Sequence, residues 1–496
     1  MNVKRIIRTV AIIATAAVAH VDALAAQGNL TELSAAEAAR LIRAGKLKSE
    51  DLVKALADQI ENKKVLGAFI AYDREAAIGA ARAADAAAAK RRFKGPLHGV
   101  PIVVKDNIHV AGFPNSAGTL ALKDFRPISH APIVAKLIGA GAIVLGKNNM
   151  HELAFGITNN NAAFGPARNP YDPNRIPGGS SGGTGVAIAA RMAAAGLGSD
   201  TGGSVRIPAA LNGITGLRPT LKRYAQEGIT PIAHTRDTAG PMARTVEDLV
   251  LLDDVITGAK DKLTAANLKG LRIGVYKAYY FDGVDAETAN LTLAAIDRLK
   301  AAGVEIVDLD MPALKELDDK VSFPVALYEA NVDLAKYLKK FGLPIDVNGV
   351  AAQIKSPDVK GVFDGMVVPG AEKAIPPAAY KAALATRSKL QKLFADTFAQ
   401  NRIAAIAFAM TPLPAAPIGD DDKTKLNGQD VPTFPTFIRN ADPGSNAGIP
   451  GITIPIARTQ AGLPIGLGLD GPTGSDRKLL SIGLALEKLF GRLPAP

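Results

Sequence analysis

Apolar positions along this chain alternate between a helical period and short unbroken runs. Ser34 stands three residues before Glu37, a capping box that opens an amphipathic helix predicted over 35–44. Ser49 starts a second helix whose apolar stripe is Leu52, Val53, Leu56 and Ile60. An Ala-rich helix follows over 73–90. The pattern then changes at Val100-Pro101-Ile102-Val103-Val104, a continuous run rich in β-branched residues. It predicts a buried strand that ends in charge at Lys105-Asp106.

The alternation continues with a helix over 131–139 and a strand over 142–145. A Gly/Ser/Asn/Pro-rich loop occupies 158–185, and the small apolar residues of 186–195 predict a helix buried on all sides. Further strands are predicted over 271–275, 304–309, 403–408, 451–456 and 463–469, with a helix over 287–301 and mainly helical structure in 311–400. This order predicts an α/β fold: a single large domain with a mixed β-sheet covered by helices. No internal repeat and no long linker divides it.

The first residues are a separate unit. Lys4, Arg5 and Arg8 precede an apolar run over 10–19, and Ala23-Leu24-Ala25 offers a small-residue cleavage site. This is the layout of a signal peptide over 1–25, with 26–496 as the mature protein, periplasmic or secreted. The run is too short to span a bilayer, so no membrane association is expected once it is removed. Its loss takes three cations and Asp22 from the formal net charge of +11, leaving +9. The densest remaining basic patch, Lys90-Arg91-Arg92 with Lys94, closes a predicted helix, where cations suit the helix dipole. Aromatics are only 5% of residues, too few for the basic-aromatic stripe of a nucleic-acid surface. There is no cysteine, which excludes disulfides, thiolate nucleophiles and cysteine-bound metals.

Two glycine-serine clusters bracket the buried helix: Pro177-Gly178-Gly179-Ser180-Ser181-Gly182-Gly183-Thr184 and Gly198-Ser199-Asp200-Thr201-Gly202-Gly203-Ser204. Glycines in such number let backbone N–H groups approach a ligand closely. Together with Val205-Arg206-Ile207-Pro208, the Pro101–Asp106 strand, Gly146-Lys147-Asn148-Asn149-Met150, Gly216-Leu217-Arg218-Pro219-Thr220 and Asp237-Thr238-Ala239-Gly240-Pro241-Met242-Ala243-Arg244, they resemble the amidase signature family. The resemblance runs over about 33–489. Within the family, the stretch 440–451 resembles the indoleacetamide and mandelamide hydrolase branch.

The resemblance implies hydrolysis of a carboxylic amide through an acyl-enzyme. In it Ser204 is the nucleophile, Ser180 the proton relay and Lys105 the base, and no cofactor is needed. It also implies a catalytic core over 95–260, a substrate-shaping region over about 311–445, and a homodimer as an assembly family members often adopt. The substrate is expected to be an arylacetic-type primary amide, with anilides, carbamates and esters open to the same machinery. Chemistry agrees with these roles, because a serine hydroxyl needs an adjacent base and a lysine serves only when desolvation lowers its pKa. The backbone N–H groups of Thr201, Gly202, Gly203 and Ser204 are the expected oxyanion donors, and Gly179 and Phe155 are read as substrate-binding positions. Asp200 and Arg206 are expected to brace the nucleophile loop.

Other readings fail on particular residues. Gly178-Gly179-Ser180-Ser181-Gly182 fits a nucleophile elbow, yet the only histidine after Ser180 is His234. His151-Glu152 lacks the second histidine of a zinc-binding helix, and no metal spacing is present. Gly466 to Gly471 matches a dinucleotide fingerprint, but Pro472 follows where a helix must begin, which predicts a strand and turn. A non-catalytic amide binder is disfavoured by the three catalytic positions. A tRNA-dependent amidotransferase subunit is disfavoured by the export signal.

Overall fold

The computed structural model describes residues 29–496. The signal peptide expected over 1–25 lies outside the described residues. The capping box forms as predicted: Glu37 N donates to Ser34 Oγ at 3.1 Å, and Ser34 N donates to Glu37 Oε2 at 2.9 Å. It opens the helix Ala35–Arg43. The helix Ser49–Asn62 buries Leu52, Val53, Leu56 and Ile60, and Asp73 caps the helix Arg74–Ala89 through Ala76 N. Lys90, Arg91, Arg92 and Lys94 beyond it are exposed.

Among the described residues thirteen strands form, β1 (Phe69–Tyr72), β2 (Pro101–Lys105), β3 (Ile143–Asn148), β4 (Ala195–Asp200), β5 (Thr215–Arg218), β6 (Thr238–Ala243), β7 (Arg272–Val275), β8 (Glu305–Asp308), β9 (Ala405–Ala409), β10 (Lys423–Leu426), β11 (Gln429–Pro432), β12 (Gly451–Arg458) and β13 (Pro464–Asp470). Eleven make one sheet in the order β1-β3-β2-β4-β6-β5-β12-β13-β9-β7-β8, and β10 and β11 pair as a hairpin. The trios β3-β2-β4 and β9-β7-β8 are parallel, and every other neighbouring pair is antiparallel. The sheet is therefore mixed, as expected, and runs unbroken through the core and the C-terminal half. Helices cover it, including Val246–Thr257, Ala286–Ala301 and Asp476–Phe490, whose buried faces join the largest apolar cluster. Among the described residues no helix is long and apolar enough to cross a membrane.

The segment between the two glycine-serine clusters departs from the expectation. The helix occupies Gly182–Ala189, four residues early, so 190–194 is not helical and Ala195, expected to end the helix, opens the strand Ala195–Asp200. Small apolar residues suit either state, and position in the sheet decides: Ala195 to Leu197 pair in parallel with Ile102 to Val104. The glycines that read as loop are needed inside the helix. A Cβ on Gly183 would fall 2.3 Å from Asn149 O, so only glycine lets the helix lie this close to the neighbouring chain. The β13 fingerprint match is a strand followed by a turn, as predicted.

Candidate active site

Strands β2 and β4 are parallel neighbours, so their carboxyl ends open on the same side of the sheet, where ligands collect in α/β folds. Lys105 ends β2, while β4 carries Ser199 and Asp200 before the nucleophile loop. Ser180 reaches the same point from the segment ahead of the Gly182–Ala189 helix, preceded by a cis Gly179–Ser180 peptide. Ser181 N donates to Ser204 O at 3.2 Å, which ties the two clusters together.

Lys105 and Ser180 are wholly buried, and Ser204 is 9% exposed at the wall of a cavity. Lys105 Nζ donates to Ser180 Oγ at 2.7 Å and to Ser199 Oγ at 2.9 Å. Asn107 Nδ2 also donates to Ser199 Oγ, at 3.0 Å. Burial drives the Lys105 pKa down to about 7, against the opposing pull of the Asp200 and Asp237 charges. The neighbouring Asp106 turns away: it accepts from Ser116 N at 2.9 Å and lies 3.3 Å from Lys147 Nζ. Lys105 is thus a buried amine among hydroxyls, close to half neutral at neutral pH.

The nucleophile loop is braced by buried charge. Asp200 accepts from Gly203 N at 2.8 Å, Val205 N at 3.2 Å, Arg206 Nε at 3.1 Å and Arg218 Nη1 at 2.9 Å. Burial alone would raise its pKa, but the two guanidinium charges and these donors hold it well below the usual carboxylate range. Arg206 also reaches Asp470 at 3.3 Å and donates to Ser445 Oγ at 2.6 Å. Asp200 and Arg206 therefore brace the loop, as expected from the sequence. Gly203 needs correction as an oxyanion donor, because its N–H is already given to Asp200. Thr201, Gly202 and Ser204 remain, and all three line the cavity. Thr201 is held from the side by Asp237, whose Oδ1 accepts from Thr201 Oγ1 at 2.6 Å.

The cavity holds about 150 Å³. Phe155, Ile157, Ile232, Leu327, Phe434 and Ile438 give it an apolar wall, and half of its lining comes from residues 311–445. Phe155 stands at the expected place, its ring edge-on to Phe363 at 4.9 Å. Gly179 is not part of the lining; a Cβ there would meet Ile157 C at 2.9 Å, so it is a close-packing position.

Ser199, Asn107 and Asp237 escaped the sequence reading. Ser199 had a signal, since it lies in the same strand-to-loop segment five residues before Ser204, and so did Asn107, two residues after Lys105, and Asp237, the first residue of a motif that carries the resemblance. The structure also gathers His234, Glu329 and Asp333, whose ligand-type atoms lie within 4.8 Å of one another. Their oxygens already accept from His234 N, Thr235 and the Tyr380 hydroxyl.

Comparison with known proteins agrees with this geometry. A family model described as Amidase matches residues 51–480. An indoleacetamide hydrolase of Rhizobium radiobacter is 41% identical over 445 residues, covering 89% of this chain and 93% of that protein. A mandelamide hydrolase of Pseudomonas putida is 41% identical over 481 residues, 94% and 93% respectively. The crystal structure of a native peptide amidase from Stenotrophomonas maltophilia superposes with a TM-score of 0.80 at 30% identity, covering 94% of this chain and 98% of that one. With a serine at the cavity wall and a desolvated lysine behind it, this chain belongs to the amidase family and is a hydrolase of amide bonds.

Proposed function

We propose that this protein hydrolyses an arylacetic-type primary amide through an acyl-enzyme on Ser204. The observation that carries the reading is the 2.7 Å contact between Lys105 Nζ and Ser180 Oγ in a wholly buried setting, beside a cavity that Ser204 lines. The apolar wall suits an aryl group, and the likeness to indoleacetamide and mandelamide hydrolases points to the same class of substrate.

In the active form Lys105 is neutral and its lone pair accepts the Ser180 proton, reversing the hydrogen bond drawn above. Ser180 in turn takes the proton of Ser204 as Ser204 Oγ bonds to the amide carbon. The carbonyl electron pair moves to oxygen, where the N–H groups of Thr201, Gly202 and Ser204 receive it. Each such donor contributes about 2.7–4 kcal/mol in comparable chemistry. Collapse breaks the C–N bond, and the departing nitrogen takes a proton from Ser180, which Lys105 replenishes. Water then bonds to the acyl carbon, its proton passing through Ser180 to Lys105; the Ser204 Oγ–C bond breaks, Oγ takes the proton back along the relay, and the acid leaves. Ser199 keeps Lys105 aimed at Ser180 throughout.

The test is ammonia release from phenylacetamide, mandelamide and indoleacetamide, with an anilide, a carbamate and a p-nitrophenyl ester as competitors for the reading. Turnover of the primary amides that disappears in Ser204→Ala supports it; equal turnover by the variant overturns it. The basic start and apolar run of residues 1–25 support export to the periplasm or beyond. Sequencing the N-terminus of protein recovered from the periplasm tests that: an intact Met1 on cytosolic protein overturns it.

A further inference from the structure

The cavity wall is not evenly apolar. Two carboxylates interrupt it, Asp358 at the start of the helix Pro357–Val362 and Asp421 just before β10. The wholly buried imidazole of His151 lies behind the wall beside both segments. Its Nε2 is 3.0 Å from Asp358 Oδ2, and its Nδ1 accepts the Asn159 N–H at 3.1 Å. A backbone N–H can only donate, so the ring's proton sits on Nε2, which lies beside the Asp358 carboxylate without a well-aligned hydrogen bond to it. A Cβ on Gly156 would fall 2.1 Å from the His151 ring, so glycine in the wall allows the imidazole to lie directly behind it. Thr158 Oγ1, 3.5 Å from His151 Nδ1, donates to Asp421 Oδ1 at 2.6 Å, and Asn160 Nδ2 donates to Asp421 Oδ2 at 2.5 Å.

Every one of these partners is a neutral group that orients a carboxylate without cancelling its charge. Among the described residues no Lys or Arg nitrogen lies within 4.0 Å of either carboxylate. The one guanidinium in the wall, Arg236, is matched by Asp442 at 2.5 Å. Two carboxylate side chains without a Lys or Arg partner therefore belong to the wall of the space that an acyl group fills.

Building on the amide-hydrolase reading, we propose that Asp358 and Asp421 form a cation-accepting end of this cavity and select aryl amides with a protonated amine on the acyl group. An ammonium that leaves water for an apolar cavity needs a counter-charge, and these carboxylates supply it. A neutral aryl amide desolvates them without giving a donor in return, and an anionic one is repelled. A site built around buried acceptors discriminates most strongly against ligands that leave them unpaired.

The experiment compares phenylacetamide with its 4-aminomethyl and 4-carboxymethyl derivatives in wild type, Asp358→Asn and Asp421→Asn. Ammonia release gives kcat/KM, and calorimetric binding to Ser204→Ala gives affinity without chemistry. The amine-bearing amide is expected to exceed phenylacetamide by about ten-fold or more in both readouts, with the carboxylate last. Each Asn substitution shrinks that ratio several-fold, with thermal melting as the check that the variants are folded. Equal affinity of Ser204→Ala for the amine and neutral amides overturns the inference, as does a ratio that survives both substitutions. Ranked binding without any hydrolysis overturns the hydrolase reading and leaves the cation-accepting end standing. Hydrolysis without ranking does the reverse.

Discussion

Lys105 at the end of β2 and Lys147 on the adjacent β3 are both wholly buried, and strand register sets Lys147 opposite Val104 and Lys105 opposite Asn148. Their surroundings differ. Lys105 meets the hydroxyls of Ser180 and Ser199. Lys147 meets the Asp106 carboxylate at 3.3 Å, Pro114 O at 3.1 Å and Asn115 Oδ1 at 3.1 Å. Burial pushes both lysines down and Asp106 up, so the Lys147–Asp106 pair is a net neutral unit wherever its proton sits. Desolvation is common to both sites, and the partner decides the use. A carboxylate locks one lysine into structure, while hydroxyls leave the other free to exchange a proton with a serine.

The sharpest way to break this contrast is substitution of each lysine by methionine. Lys105→Met is expected to lower turnover by about 10²–10⁴-fold, as loss of a general base does, with a urea midpoint no lower than wild type. Lys147→Met leaves Asp106 buried without its cation and is expected to cost about 3–5 kcal/mol in urea unfolding. A Lys147→Met variant as stable as wild type would show that the two lysines are not differently employed.

A smaller effect separates the hydroxyls. Ser199→Ala removes an acceptor that steadies the ammonium form, so the acid limb of the rate profile moves below its wild-type midpoint near pH 7, with about ten-fold lower kcat. An acid limb that stays in place would remove Ser199 from the positioning of Lys105.

The smallest effect is a linkage slope. The Lys105 pKa is depressed in the folded state, so between about pH 7 and the ordinary lysine value the unfolded chain binds the extra proton. Stability from this group therefore rises with pH across that window, by at most about 1.4 kcal/mol per unit, and its cost is greatest below pH 7. Comparing wild type with Lys105→Met in urea at pH 7 and 9 isolates it: the gain on raising pH should be larger in wild type.

The reacting groups were legible through the family resemblance, whose motifs are short and local. Lys105 closes a run of β-branched residues, and Ser180 and Ser204 sit in two glycine-serine clusters that bracket one buried helix. The helix Ala35–Arg43 was legible from its caps. β6 was not read as a strand, since Thr238-Ala239-Gly240-Pro241-Met242-Ala243 lacks β-branched residues beyond Thr238 and is strand through its pairing with β4 and β5. Gly182-Gly183-Thr184-Gly185 read as loop because glycine's weak helix propensity hid the close approach that demands it. The cavity wall was legible only as a region. Asp421 meets Thr158 across 263 positions of sequence, and no periodicity encodes such a meeting.

Arg206 binds Asp200 six residues behind it and Asp470 264 residues ahead, with Ser445 between. During synthesis the nucleophile loop thus emerges long before the strand that completes its brace. A ribosome that stalls before β13 releases a chain holding all three reacting side chains but lacking the carboxylate at the far side of Arg206. The brace of the nucleophile loop is thus closed by one of the last strands of the chain, just ahead of its final helix.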